Sequence, residues 1–198
     1  KEEVKKRFAL YIHIPYCRQK CPYCDFNVHV IKNIPEEAYT EALLQELENA
    51  AEDSAWAGRE ISSVYFGGGT PSLFSPVSLA RITSGARDSF KIIEGAEVCL
   101  EANPGTIIND TSHGLQEAGV NRVSLGAQSF DERFLKLLGR RHRSADVERS
   151  VKLLREAGIS NINLDLIFGN PSQKVSDWLQ DIEKGLELDV SHFSLYGL

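Results

Sequence analysis

Cys17, Cys21 and Cys24 stand in Cys17-Arg18-Gln19-Lys20-Cys21-Pro22-Tyr23-Cys24, a CxxxCxxC loop directly behind the strand-like run Phe8-Ala9-Leu10-Tyr11-Ile12-His13-Ile14. A closed iron–sulfur cluster of the electron-transfer kind takes four thiolates, and structural zinc likewise wants four ligands. Three thiolates on one short loop can hold three corners of a cubane and leave a fourth iron exchangeable, as a catalytic metal keeps an open position. The alternatives are an incomplete zinc site or a disulfide with a spare thiol. The fourth cysteine, Cys99, lies in Ala96-Glu97-Val98-Cys99-Leu100-Glu101, which alternates as a strand does. Free cysteine packs as a small hydrophobe, so Cys99 reads as a buried thiol.

Four further groups carry chemistry: Gly67-Gly68-Gly69-Thr70-Pro71, Glu101-Ala102-Asn103-Pro104, Gln128, and Asp165 in Leu164-Asp165-Leu166-Ile167. The glycines lack the spacing of phosphate-binding loops. They serve either a tight turn or a close approach of backbone to a ligand. Glu101 is a ligand-binding acid or a solvated strand end. Asp165, inside an apolar run, needs a partner such as a ligand hydroxyl or a basic side chain, because an unpaired buried carboxylate is costly. Arg140, Arg141 and Arg143 are a carboxylate-binding set or a solvated basic patch. The histidines show no metal-binding spacing, so His29, His113, His142 and His192 read as ordinary polar residues; His13 could orient the cysteine loop through a hydrogen bond.

The elements that must position these groups form one alternating βα pattern. Strand-like runs are Phe8 to Ile14, Ile61 to Phe66, Glu97 to Glu101, Arg122 to Leu125, Asn161 to Ile167 and His192 to Leu195. Helical patterns fill the gaps, at Glu36 to Ala50, Pro76 to Phe90, Thr111 to Ala118, Asp131 to Leu138, Ser144 to Ala157 and Ser176 to Leu186. Gly119 and Gly158, each behind Glu-Ala, mark helix stops. Repeated strand–helix–strand units demand right-handed crossovers and a parallel sheet. Nearly all the candidate residues sit where strands end. Residues from many successive strand ends converge in a barrel mouth, whereas an open doubly wound sheet gathers them at one switch point. The expected fold is therefore α/β, a partial (β/α)6 barrel of parallel strands.

Composition fits an intracellular redox site better than a disulfide scaffold: the 198 residues hold four cysteines, and 42% are hydrophobic, enough for a core without staples. A net charge of −6 argues against a broad nucleic-acid surface. No stretch approaches a membrane-spanning length, and nothing apolar behind Lys1-Glu2-Glu3-Val4-Lys5-Lys6-Arg7 makes a signal peptide. The chain reads as soluble and cytoplasmic, with an organellar location open if a transit peptide has been removed.

CxxxCxxC after the first strand with Gly-Gly-Gly-Thr-Pro after the second resembles the radical S-adenosylmethionine (SAM) superfamily. More narrowly, Tyr11-Ile12-His13-Ile14-Pro15-Tyr16-Cys17, Phe66 to Ser72, Leu125-Gly126-Ala127-Gln128-Ser129-Phe130 and Asp165-Leu166-Ile167-Phe168-Gly169 are similar to oxygen-independent coproporphyrinogen III oxidase and its relatives. The resemblance implies a [4Fe–4S] cluster on Cys17, Cys21 and Cys24 whose open iron is chelated by SAM, and an electron donor protein that reduces the cluster so that SAM is cleaved to a 5′-deoxyadenosyl radical. Tyr11, Gly68 and Glu101 then resemble contacts to the cluster-bound SAM. Tyr23, Gly69, Thr70, Gln128, Arg140 and Asp165 resemble the lining of the rest of that cavity.

Two departures from the oxidase pattern stand out. The oxidase continues to a fourth cysteine two residues beyond the third, where this chain reads Cys24-Asp25-Phe26-Asn27. Phenylalanine there resembles the HemW group of haem chaperones, which bind haem and pass it to acceptor proteins. The second departure is Asn170 in Gly169-Asn170-Pro171, where relatives usually carry an apolar residue; it leaves the cavity floor open but not the superfamily. The resemblance implies either a haem-binding and transfer protein or a radical enzyme acting on a porphyrinogen, with Phe26 favouring the first. It also implies that residues 1–198 are a core domain and that the full-length protein adds a C-terminal domain.

Overall fold

The computed structural model describes residues 6–198; the basic start read above at Lys1 to Lys5 lies outside them. Six strands form one sheet: β1 (Arg7–Ile14), β4 (Glu60–Gly68), β5 (Ile92–Ala102), β6 (Arg122–Gln128), β7 (Asn161–Phe168) and β8 (His192–Gly197). Their spatial order is their chain order, and each neighbouring pair is parallel. A doubly wound sheet reverses its strand order at a switch point. With no reversal, right-handed crossovers carry the helices to one face, and the sheet follows the path of a partial barrel, as expected. The helices are α1 (Glu36–Glu52), α2 (Pro76–Phe90), α3 (Asn109–Glu117), α4 (Glu132–Leu137), α5 (Ser144–Glu156) and α6 (Val175–Glu187). A short parallel pair, β2 (Tyr16–Cys17) with β3 (His29–Val30), brackets the cysteine loop and had no signal in the periodicity.

Two local rules explain the corners. After α3, Gly119 takes φ +90°; its N–H reaches Gln116 O at 2.9 Å, and Val120 N–H reaches Leu115 O at 3.0 Å. After α5, Gly158 at φ +86° and Ile159 repeat the pattern onto Arg155 and Leu154. Each is a left-handed cap that only glycine adopts without cost, and each aims the chain into the next strand. At the start of α2, Ser75 Oγ accepts from Ser78 N–H at 3.2 Å and Pro76 occupies the first turn.

Strand periodicity then separates two environments. Ile12, Ile14, Val64, Phe66, Leu100, Val123, Leu125, Ile162, Leu164 and Leu166 point to the helix side and are buried with Leu79, Ile82, Leu115, Val151 and Leu154 of the helices. The alternate residues, among them Tyr65, Glu101, Ser124, Asn163, Asp165 and Ser194, face the concave side. Covered parallel strands usually read as continuous apolar runs, and a closed barrel fills its interior with branched side chains. Polar groups on the concave face mean that here the interior is a site and not a second core.

β1 and β4 end in a contact that fixes the mouth of this interior. Gly69 N–H donates to Ile14 O at 2.8 Å and Thr70 N–H to Tyr16 O at 2.8 Å. A Cβ on Gly69 would lie 2.7 Å from Tyr16 O and 2.8 Å from the Pro15 carbonyl carbon. On Gly68, at φ +115°, it would meet the His13 ring at 2.6 Å. The glycines thus admit the protein's own chain, in addition to lining the cavity described below. Backbone cannot yield as a flexible side chain does, so Gly69→Ala is expected to cost at least ~1–3 kcal/mol of stability. Chemical denaturation of the two proteins checks this, with Gly105→Ala, where nothing lies within 4 Å of a new Cβ, as the tolerated comparison.

Candidate functional site

The concave face opens into a cavity of about 990 Å³ lined by the cysteine loop and by the ends of β4 to β8. Cys17, Cys21 and Cys24 are free thiols, each partly exposed to it. A turn from Cys24 N–H to Cys21 O, 3.1 Å, folds the loop back on itself. His13 holds the loop's far end, with Nε2 3.1 Å from Asn27 O, while its Nδ1 lies 3.1 Å from Tyr11 OH. Gln19 Nε2 donates to Gly139 O behind α4, and Pro22 packs against the same glycine. The loop is therefore tied down on both sides, by β1 and by α4.

Arg140 joins this loop to the strand ends. Its Nη2 donates to Gly126 O at 3.0 Å and to Asn103 Oδ1; its Nη1 lies 3.4 Å from Tyr23 OH and 3.7 Å from Cys21 Sγ. Asn103 Nδ2 continues the chain to Thr70 Oγ1 at 3.1 Å, which is 3.5 Å from Cys17 Sγ. Burial raises the pKa of Cys17, with the Thr70 hydroxyl acting the other way. Burial likewise pushes the Tyr23 phenol up to about 12, against the pull of Arg140. Arg140 thus fixes Tyr23, Asn103 and Gly126 around Cys21, and metal is ligated by the thiolate form of cysteine.

Two carboxyl groups occupy the interior. Glu101 Oε1 accepts from Tyr65 OH at 2.9 Å and Oε2 from Gly68 N–H at 3.0 Å. Asp165 accepts from Ser124 Oγ at 3.1 and 3.2 Å and from Asn163 Nδ2 at 2.8 Å, and Asn163 also binds Ser194. Burial raises both pKa values, and these hydrogen bonds oppose it. Asp165 thus finds neutral protein partners where a ligand hydroxyl or a basic group had been expected. Among the described residues neither carboxylate is in an ion pair, so a cationic or hydroxyl-rich ligand would complete both.

Of the twelve residues singled out from the sequence, eleven line this one cavity: Cys17, Cys21, Cys24, Tyr23, Gly68, Gly69, Thr70, Glu101, Gln128, Arg140 and Asp165. Tyr11 does not; its ring stacks beside Tyr65 at 6.1 Å and is half exposed. Gln128 is buried at the end of β6 with φ +66°, where the register slips between Leu125 and Gln128. Such backbone strain in a non-glycine residue persists only where its surroundings impose it. Asn170 does not form the cavity floor: its Nδ2 donates to Ile167 O at 3.0 Å, closing the turn after β7. Cys99 is buried off the cavity, its thiol pushed up to about 11 by desolvation. Ser124 and Asn163 were missed as site residues, although polar side chains at alternate positions of expected parallel strands are the signal that finds them; Asn103 was named only as part of the Glu101–Pro104 group.

The residues present suit a [4Fe–4S] cluster and SAM. Among the described residues no group of three or more His, Cys, Asp or Glu gathers around a single ion. A cubane does not ask for that, because its thiolates bind separate irons. The donor set is three free cysteines beside an arginine, with two desolvated carboxyl groups in reach of the same cavity.

His142, read as an ordinary polar residue, is buried with Nε2 3.0 Å from Ala127 O. Desolvation, helped by Arg140, lowers its pKa from 6.5 to about 4. The unfolded chain therefore binds the extra proton between about pH 6.5 and 4, and stability falls as pH drops through that window. The expected loss is up to about 3 kcal/mol. Melting temperatures measured across this range should fall more steeply for the wild type than for His142→Gln, whose amide keeps a donor for Ala127 O and takes up no proton.

Residues 11–184 match the model of the radical SAM superfamily. Heme chaperone HemW of Escherichia coli K12 is 45% identical over 192 residues, covering 96% of this chain and 50% of that protein. Radical S-adenosyl methionine domain-containing protein 1, mitochondrial, of Mus musculus is 38% identical over 197 residues, covering 100% of this chain and 44% of that protein. Among solved structures, the coproporphyrinogen III oxidase HemN of Escherichia coli, a radical SAM enzyme, superposes with a TM-score of 0.89 at 29% identity, covering 98% of this chain and 44% of its own. The chain spans about half the length of the curated relatives it matches. On a family model that matches residues 11–184, a span that contains the cysteine loop and most of the strand ends lining the cavity, the chain belongs to the radical SAM superfamily.

Proposed function

We propose that this chain is the core of a haem chaperone that holds a [4Fe–4S] cluster on Cys17, Cys21 and Cys24 and binds SAM in the adjoining cavity. The observation that carries the proposal is the convergence of three free, partly exposed thiols with two largely desolvated carboxyl groups that, among the described residues, are in no ion pair. When bound, the reduced cluster supplies one electron to the sulfonium of SAM. The protein's own residues bind and orient. Arg140 holds Tyr23 and Asn103 in place beside Cys21. Glu101, oriented by Tyr65 and Gly68, offers its remaining lone pairs to an ammonium group. Asp165, held by Ser124 and Asn163, accepts from ligand hydroxyls. Gly68 and Gly69 bring backbone close to the ligand, and Gln128 and Thr70 complete the polar wall. Tyr11 buttresses this wall through His13 and Tyr65.

The haem half of the proposal is supported by the HemW relatives and by Phe26, which stands where the oxidase carries a fourth cysteine. Residues 1–198 would be one domain of a longer protein whose remaining half completes the haem site. Its partners would be an electron donor protein and a haem-acceptor protein, in the cytoplasm. Among the described residues no helix is long and apolar enough to cross a membrane. The second reading, a radical enzyme of the coproporphyrinogen oxidase kind, is favoured by the HemN superposition.

After anaerobic reconstitution, Cys17→Ala, Cys21→Ala and Cys24→Ala are each expected to lose most bound iron and sulfide, while Cys99→Ala keeps them. Retention of a full cluster by any of the first three would refute the ligand assignment. For the function, the reconstituted full-length protein, supplied with reductant and SAM, should bind haem and form no protoporphyrinogen from coproporphyrinogen III, with the 198-residue core binding haem weakly or not at all. Stoichiometric protoporphyrinogen formation would replace the chaperone with the enzyme.

A further inference from the structure

Gln128 keeps its place in the cavity against its own backbone preference, and the groups that hold it there lie outside the cavity. Ser129 N–H donates to Ala127 O at 2.8 Å around Gln128 at φ +66°. A bond from i to i+2 about a left-handed centre makes a γ-turn of the rare, strained hand. Of the four non-glycine residues at positive φ among the described residues, Lys91, Ser172 and Asp189 are exposed, while Gln128 is buried and lines the cavity. Glycine would take this conformation freely, so a glutamine here marks a side chain that the site needs. Its carboxamide lies over Gly126, where a new Cβ would meet Gln128 Nε2 at 2.8 Å, Arg140 Nη2 at 3.3 Å and Asn103 Oδ1 at 3.4 Å.

The turn is held at both ends. Ahead of it, His142 Nε2 lies 3.0 Å from Ala127 O. Behind it, Asp181 of α6 accepts from Ser129 O–H at 2.7 Å and from Phe130 N–H at 2.6 Å. Ser129 Oγ in turn accepts from Asp131 N–H at 3.0 Å. Asp181, Ser129 and Phe130 are buried, and none of them lines the cavity. Taking a carboxylate out of water is costly. An apolar side chain would fill the space between α6 and the exit of β6 without that cost. What the acid adds is a pair of hydrogen bonds to the two residues directly after Gln128.

We propose that Asp181 is a positioning residue for the ligand site: from the helix side of the sheet it clamps the turn at Ser129 and Phe130, and so aims the Gln128 carboxamide at SAM in the cavity. The inference rests on the proposed function, since it is SAM that Gln128 would meet there. Strain in a non-glycine residue persists where its surroundings over-determine it, and Asp181 with His142 supplies that constraint on either side of the turn.

The reconstituted chain, its cluster confirmed by iron and sulfide content, is titrated with SAM by anaerobic calorimetry. Asp181→Ala should bind SAM about three- to tenfold more weakly at wild-type cluster content, the range of one lost hydrogen bond, while Asp181→Asn, whose amide still serves Ser129 and Phe130, should recover affinity to within about twofold. Glu183→Gln, exposed on the same helix, should leave affinity as it was. Gln128→Gly removes both the carboxamide and the strain, so Asp181→Ala added to it should weaken binding no further. An equal loss in both backgrounds would make Asp181 a general support of the fold and overturn the inference, as would wild-type affinity in Asp181→Ala. Should Asp181→Ala by itself fail to fold or to take up a cluster, adding Gln128→Gly should restore both, because glycine needs no restraint at that φ; no restoration overturns the inference as well. A wild type that takes up the cluster and does not bind SAM refutes the proposed function, and this inference falls with it.

Discussion

The backbone of Pro15 and Tyr16 lies directly against the backbone of Gly69, and the rest of the site depends on that approach. Two hydrogen bonds, Gly69 N–H to Ile14 O and Thr70 N–H to Tyr16 O, lock the exit of β1 to the exit of β4. This places Cys17 beside Thr70. From Thr70 the contact runs through Asn103 to Arg140 and so back to Cys21. A side chain at Gly69 would push the first link of this ring apart. Three cysteines on an irregular loop would otherwise have no reason to hold the separation that a preassembled cofactor requires.

The second dependence is electrostatic. Glu101 and Asp165 are kept in a buried, polar interior by neutral donors, Tyr65, the Gly68 amide, Ser124 and Asn163. Neutral donors satisfy lone pairs without supplying charge, so burial still raises both pKa values. The arrangement favours an incoming ligand that carries positive charge and hydroxyl groups, because that ligand supplies what the protein withholds. Arg140 stands beside the thiols, bonded to Gly126 O, and its charge acts on Asp165 against the effect of burial.

Much of this was legible in the residues. The βα alternation, the glycine caps at Gly119 and Gly158 and the placement of chemistry at strand ends sufficed for the fold, because each is a local rule with a long sequence footprint. Eleven of the twelve named site residues meet in one cavity, since a parallel barrel brings all strand exits to one end. Tyr11 departs from that pattern: it lies three residues before the end of β1, and its ring stacks on Tyr65. The β2–β3 pair could not be read, because two-residue strands leave no periodicity. Asn170 left the cavity floor open for a similar reason: polar substitution at a strand exit looks the same whether the amide faces a ligand or closes a turn.

The central claim is that three cysteines hold three irons and leave a fourth open to SAM. Mössbauer spectroscopy of the chain reconstituted with ⁵⁷Fe, recorded with and without SAM, tests it most directly. The account predicts that SAM changes the isomer shift of one iron in four and leaves the other three as they were. Superimposable spectra at saturating SAM, or a uniform shift of all four irons, would contradict it.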